Sequence, residues 1–205
     1  CATGPTLTDG YIYKTTNGGN NWIQVSVNTA YQVWYMDAVN SLTVYASCDS
    51  AQIIRTLTGG NSWTTLNTPP VPTNLIRWRI SFINVFTGWI TTDNESAFNK
   101  TYQTTNSGTT WTLVNPGSGF TKIKFFSASD GTGLNKSGFF STTNSGVSWT
   151  NTMSDSLLTD YYFMNSNTGW LFSKKSASVP SIKGKSWKTT NGGANWSLLY
   201  ANDTS

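Results

Sequence analysis

Short runs in which apolar and polar residues alternate recur along the whole chain, and no segment repeats its apolar positions at helical spacing. Tyr11-Ile12-Tyr13-Lys14 and Trp22-Ile23-Gln24-Val25 form the first pair of such runs, flanking a stretch rich in Asn and Gly. Asn and Gly accept positive φ, so a run of them between two strand-like segments predicts a hairpin. Further strands are predicted at Tyr31 to Val39, Leu42 to Ser47, Ile76 to Ile83, Gly88 to Thr92, Phe120 to Ser127, Gly131 to Asn135, Tyr161 to Asn165 and Gly169 to Ser173.

The connecting stretch is itself repeated. It reads Thr15-Thr16-Asn17-Gly18-Gly19-Asn20-Asn21-Trp22, and returns as Thr56-Leu57-Thr58-Gly59-Gly60-Asn61-Ser62-Trp63. The later copies are Thr104-Thr105-Asn106-Ser107-Gly108-Thr109-Thr110-Trp111, Thr142-Thr143-Asn144-Ser145-Gly146-Val147-Ser148-Trp149 and Thr189-Thr190-Asn191-Gly192-Gly193-Ala194-Asn195-Trp196. Subtracting successive tryptophan numbers (63−22, 111−63, 149−111, 196−149) gives periods of 41, 48, 38 and 47. A second motif, Thr87-Gly88-Trp89 and Thr168-Gly169-Trp170, with a weaker copy at Thr132-Gly133-Leu134, links the two strands that precede each hairpin. Four strands per period without helices is the arithmetic of a β-propeller blade. Thr and Asn at the motif's polar positions can bond nearby amides, so Asn17, Asn106, Asn144 and Asn191, with Gly19, Gly60, Gly108, Gly146 and Gly193, are expected to hold the turns. Trp22, Trp63, Trp111, Trp149 and Trp196 are expected to pack on the neighbouring sheet as apolar anchors.

The eight-residue motif resembles the Asp-box, Ser-x-Asp-x-Gly-x-Thr-Trp, with Asn at the Asp position in four copies and Thr58 in the other. With Thr-Gly-Trp it is similar to BNR-like propellers related to the photosystem II assembly factor family and to secreted bacterial BNR-repeat proteins. The resemblance covers nearly the whole chain. It implies a fold and leaves the activity open, because such propellers include sialidases, xyloglucanases, sorting receptors, assembly factors and adhesin modules.

The predicted fold is therefore an all-β propeller of four-stranded antiparallel blades. A half blade spans 10–27 and whole blades span approximately 30–67, 75–115, 120–152 and 159–200. The half blade is expected to supply two strands, and the residues after Tyr200 are too few to supply the other two. The chain is thus read as part of a larger ring, with strands donated by a second copy as the alternative.

Composition narrows the chemistry. Thr, Ser and Asn fill 79 of 205 positions and charged residues only 11%, which suits turns and edges. Aromatic residues at 14% supply enough apolar surface for a core. Histidine is absent, which removes the commonest general base and the Ser-His-Asp triad. No apolar stretch approaches the roughly 18 residues of a membrane-spanning helix. Cys1 and Cys48 allow a disulfide, free thiols or a lipidated Cys1, and the first residues show no export signal, so any such signal is read as already removed.

A sialidase, which the resemblance brings forward first, would need three arginines, a Tyr–Glu pair and an acidic Asp. The chain has Arg55, Arg77 and Arg79 on two different repeats and a single glutamate, Glu95, in a loop beside Asp93. The remaining acids, such as Asp9, Asp37, Asp130 and Asp160, are spread one per repeat, so no catalytic, metal or cofactor site is expected. The net charge of +4 reflects scarcity of charge and gives no reason to expect nucleic acid. Its local concentrations are the candidate contacts. Arg77 and Arg79 share a face of one strand, opposite Trp78, and point toward the channel; Lys122 and Lys124 share a face of another. Lys174, Lys175, Lys183, Lys185 and Lys188 flank a Ser- and Pro-containing insertion. The expected function is a non-catalytic interaction or structural module of a secreted or cell-surface bacterial protein, at the cell exterior or in the periplasm. Its expected partner is a protein or further copies of itself, with a glycan as a further option; a carbohydrate-binding propeller, or a non-catalytic part of a glycoside hydrolase, is the alternative.

Overall fold

The computed structural model describes residues 2–3, 10–25, 32–70, 77–92, 99–117, 119–175 and 184–201. Their regular structure is entirely strand. The first sheet comprises β1 (Ala2–Thr3), β2 (Gly10–Lys14) and β3 (Ile23–Val25). The second comprises β4 (Val33–Ala38), β5 (Val44–Cys48), β6 (Ile53–Thr56) and β7 (Thr64–Leu66). The third comprises β8 (Arg79–Phe82), β9 (Gly88–Thr91), β10 (Thr101–Thr104) and β11 (Thr112–Asn115). The fourth comprises β12 (Lys122–Phe125), β13 (Gly131–Asn135), β14 (Gly138–Thr142) and β15 (Thr150–Met153). The fifth comprises β16 (Leu158–Phe163), β17 (Gly169–Ser173), β18 (Lys185–Thr189) and β19 (Ser197–Ala201). Strands within each sheet pair antiparallel in chain order, and sheets adjacent in sequence pack face to face. This is a partial β-propeller.

Two expectations about strands need correction. The first sheet has three strands, because Ala2 and Thr3 pair with Tyr11 and Gly10. A two-residue strand carries no alternation that a sequence pattern can reveal; its backbone groups pair whatever the side chains are. The fifth sheet begins at Leu158, ahead of the predicted Tyr161. Thr159 and Asp160 break the apolar pattern there because both lie at the channel side.

The repeated turns are built alike in all five sheets. The hydroxyl of the first Thr accepts the amide four residues on: Gly19 to Thr15, Gly60 to Thr56, Gly108 to Thr104, Gly146 to Thr142 and Gly193 to Thr189, at 2.9–3.1 Å. The oxygen of Asn17, Asn106, Asn144 or Asn191, and the hydroxyl of Thr58 in the second sheet, accepts the amide of the residue before the tryptophan. Thr58 therefore substitutes for Asn because the turn needs an oxygen there and no charge. The fourth and fifth motif residues have positive φ in every copy, including the non-glycines Ser107 and Ser145 at 63°.

Between sheets the packing is aromatic. Tyr45 on β5 stacks on Phe82 of β8 at 3.5 Å, and Trp89 on β9 stacks on Phe125 of β12 at 3.7 Å. Phe139 on β14 meets Tyr161 of β16 edge-on at 5.2 Å. Each of Phe82, Phe125 and Phe163 ends its first strand directly opposite a glycine, Gly88, Gly131 and Gly169. The ring lies over that glycine so closely that a Cβ would stand 2.7 Å from the Phe125 ring at Gly131 and 2.8 Å from the Phe163 ring at Gly169. This is the physical content of Thr-Gly-Trp. Its counterpart in the fourth sheet is Gly131, two residues before the Gly133 that the sequence pattern suggested.

In the second sheet the same pair is Ala38 opposite Val44. A cavity of about 590 Å³, lined by Ala38, Val44, Ile12 and Trp63 among others, lies where the other sheets hold a phenylalanine. Ala38→Phe combined with Val44→Gly should therefore fill it and raise stability by about 1 kcal/mol; a thermal melt showing no gain would count against this.

Trp63, Trp111, Trp149 and Trp196 are half-buried against the clusters between the sheets. Trp111 packs edge-on to Phe82 and donates to Asn67 O at 2.9 Å. Trp149 packs on Phe120 at 4.4 Å, and Trp196 meets Phe139 at 5.0 Å. Trp22 departs further, at 61% exposed, because no described residue covers its outer side. Trp149→Ala is expected to cost about 3 kcal/mol, whereas Trp22→Ala should cost well under 1 kcal/mol; denaturant unfolding of both variants measures the contrast.

Candidate functional site

First strands of four sheets line one pocket. β4 contributes Tyr35 and Asp37, β8 Arg79, β12 Lys122 and Lys124, and β16 Asp160, around a cavity of about 470 Å³. Strand alternation puts these side chains on one side, while Ile80, Ile123 and Tyr161 turn into the buried clusters between sheets.

The polar groups of the pocket are linked across it. Asp37 accepts the Phe82 amide of the third sheet through Oδ2 at 2.6 Å and faces Lys124 Nζ of the fourth sheet at 3.4 Å through Oδ1. Ser81 accepts the Phe125 amide at 2.9 Å from the position on β8 that Asp37 holds on β4. Lys122 donates to the Asp160 carboxylate and to Tyr161 O, bridging the fourth and fifth sheets. The Arg79 guanidinium lies 3.8 Å over the Tyr35 ring. Three cations and two carboxylates thus converge, with each carboxylate engaged by a lysine. Beneath the pocket, burial pushes the Tyr161 hydroxyl above its ordinary value, against the opposing hydrogen bond it donates to Thr132 O and with the Asp160 charge. Tyr161 therefore stays neutral.

The other sequence candidates lie apart. Trp78 is buried and donates to Ala51 O, with Arg77 and Arg79 on the opposite side. Arg77 stacks on Trp34 at 3.7 Å and pairs with Asp49 at 3.4 Å. Arg55 reaches the next sheet's turn at Ser107 O. The three arginines therefore do not converge on one anion. Lys174, Lys175 and Lys185 are exposed around β17 and β18, and Lys183, Asp93 and Glu95 lie outside the described residues. Lys188 lies 5.8 Å from the Trp170 ring. Asp130 is tied into its own loop by the Ser127 and Ser129 hydroxyls, which hold its carboxyl below the usual range. Cys48 is fully buried at the end of β5; Cys1, with which it was paired as one option, lies outside the described residues, as does Asp9. Among the described residues no three His, Cys, Asp or Glu side chains group as metal ligands, and no helix is long and apolar enough to cross a membrane.

Asp37 and Asp160 are the members that sequence reasoning read as scattered acids. The signal was available: both fall in the first strand of their repeat, beside the same alternation that carries Arg79, Lys122 and Lys124.

First strands converging on a charged pocket define a partial β-propeller with a polar pocket at its channel side. Solved propellers share its fold. A structure of YCF48 from Cyanidioschyzon merolae is 13% identical over 89% of this chain, with a TM-score of 0.66. One of YCF48 bound to a D1 peptide is 14% identical over 85% of the chain, which spans 84% of that protein, with a TM-score of 0.52. An ancestral GH74 enzyme is 16% identical over 95%, with a TM-score of 0.63. The chain spans only 61% of the Cyanidioschyzon protein and 28% of the GH74 enzyme. No family model matches the sequence, and no curated protein matches it.

Replacing Asp37 with Ala should cost about 2 kcal/mol, since the Phe82 amide loses its acceptor and Lys124 its counter-charge. Urea unfolding checks it, and a cost near zero would mean water substitutes for the carboxylate.

Proposed function

We propose that this protein is a non-catalytic interaction module of a secreted or cell-surface bacterial assembly, and that the pocket of the first strands receives a carboxylate-bearing segment of a partner polypeptide. The observation carrying this reading is the convergence, among the described residues, of Arg79, Lys122 and Lys124 from two neighbouring sheets around a cavity of about 470 Å³. A carboxylate entering between Arg79 and the lysines would gain charge-assisted hydrogen bonds from them. Tyr35 and the aliphatic lysine stems offer apolar flanks for the neighbouring side chain. The likeness to a propeller with a bound peptide supports the same direction. The charge-poor, Thr-, Ser- and Asn-rich surface supports export from the cytoplasm.

The second reading, a non-catalytic or catalytic part of a glycoside hydrolase, draws on the GH74 likeness and on Asp37 and Asp160 sharing one pocket. Hydrolysis would need one carboxyl to act as an acid and the other to stay ionised. Here each carboxylate is already paired with a lysine ammonium, Asp37 with Lys124 and Asp160 with Lys122.

Fluorescent peptides with a free terminal carboxylate, compared with their amidated versions, test the first reading. Binding is expected only with the free acid, falling about tenfold in Arg79→Ala or Lys122→Ala, equivalent to about 1.4 kcal/mol, and weakening with salt. Equal binding of both peptide forms would overturn it; turnover of a β-glucan, lost in Asp160→Asn, would favour the second reading.

A further inference from the structure

The second residue of the second strand is aromatic in three of the four-stranded sheets and small in the other. Tyr45, Trp89 and Trp170 stand there in the second, third and fifth sheets, and Thr132 in the fourth. Two of these rings reach into the sheet that follows. Tyr45 lies flat on Phe82 and donates its hydroxyl to Val85 O at 2.6 Å. Trp89 lies flat on Phe125 and donates its indole N–H to Ser145 O, the fourth residue of the next turn, at 2.9 Å. Their cross-strand neighbours are Arg55 and Gln103, whereas the neighbour of Thr132 is Ser141.

Between the fourth and fifth sheets two small side chains therefore stand where the junction before holds Trp89 and Gln103. Phe163 is only half-buried, while its counterparts Phe82 and Phe125 are buried. Phe126 leans on Phe163 at 5.2 Å with the rings tilted by 54°. Among the described residues a cavity of about 450 Å³ remains, lined by Phe126, Thr132, Ser141 and Gly192 together with hydroxyl and carboxamide groups. Both sheets that form it have all four strands, so it lies between whole sheets. Gly192 holds the place in its turn that Ser145 holds in the one before, so its carbonyl is the counterpart of the acceptor of Trp89. Ser141 stands where Arg55 extends a guanidinium to Ser107 O, and its single hydroxyl is too short for that reach.

We propose that this cavity binds a small planar molecule of the indole class, its ring against Phe126 and its N–H donated to Gly192 O. The chemistry of the ligand is that of the side chain which the adjoining junction supplies from within: an apolar ring with one donor at its edge. Such a ring takes apolar surface of Phe126 out of water and gives a turn carbonyl a donor. A cavity left by a missing ring is of the kind that takes up a free aromatic molecule. It shares no lining residue with the pocket of the first strands, so the two readings stand or fall separately.

Amide NMR spectra of the isotopically labelled whole chain, titrated with indole, test the proposal. Saturable shifts are expected at Thr132, Ser141 and Gly192, and indene, the hydrocarbon of the same outline, should bind about fivefold more weakly. Thr132→Trp supplies the ring from the chain itself, and Ser141→Arg supplies Gly192 O with a donor as Arg55 does Ser107 O. Each is expected to lower indole affinity by about tenfold or more, with the melting temperature of Thr132→Trp unchanged or raised. If Thr132→Trp fails to fold, the half-buried position of Ser141→Arg carries the same test. Absence of saturable shifts with indole overturns the proposal, as does a response to glucose in its place. Indole binding that survives in Ser141→Arg, or equal binding of indene and indole, overturns it too.

Discussion

A four-stranded sheet of this size cannot bury either face alone, and everything else in the structure follows from how one sheet covers the next. The covering is done by aromatic rings placed on alternate strand positions. Tyr45 and Trp89 reach forward to Phe82 and Phe125, and those rings lie flat over the glycines opposite them. Stacked rings at such distances bring a large apolar area together with little loss of side-chain freedom. A glycine across from each ring is the price of the approach, since any side chain there would occupy the ring's volume.

The same packing sets the polar architecture. Once the sheets are held face to face, their first strands run beside one another, and the amides of Phe82 and Phe125 need acceptors from the sheet before. Asp37 and Ser81 provide them. Asp37 is thereby fixed where its second oxygen meets Lys124, so a structural cap also contributes to the charge of the pocket. Away from the pocket, turn carbonyls of the second and third sheets receive Lys14 and Arg55 from the sheet before. The pocket and the turn contacts are two outcomes of one inter-sheet geometry.

Much of this was legible beforehand, and the failures have physical causes. The eight-residue motif announced its turns because Thr hydroxyls, an Asn oxygen and residues tolerant of positive φ are local requirements. Ala2–Thr3 escaped notice because pairing of so short a strand depends on backbone alone. Gly133 was mistaken for Gly131 because both glycines lie under an aromatic ring, Phe120 over Gly133 and Phe125 over Gly131, and only the register with Phe125 tells them apart. Trp22 looked identical to its four counterparts; its exposure depends on what lies beside the sheet, which a motif does not record.

By itself, then, the chain of residues determined the all-strand character, the period, the turn chemistry and the fold class, since these rest on interactions within a few residues or within one hairpin. Tertiary structure alone decided which charges meet. Asp37, Arg79, Lys122, Lys124 and Asp160 belong to four different sheets, and their convergence depends on how those sheets are rotated and stacked about a common channel. Arg77, two residues from Arg79, was drawn away by Trp34 and Asp49 for the same reason. Contacts so distant in sequence leave no local pattern, because it is the packing of aromatic rings between the sheets that brings them together.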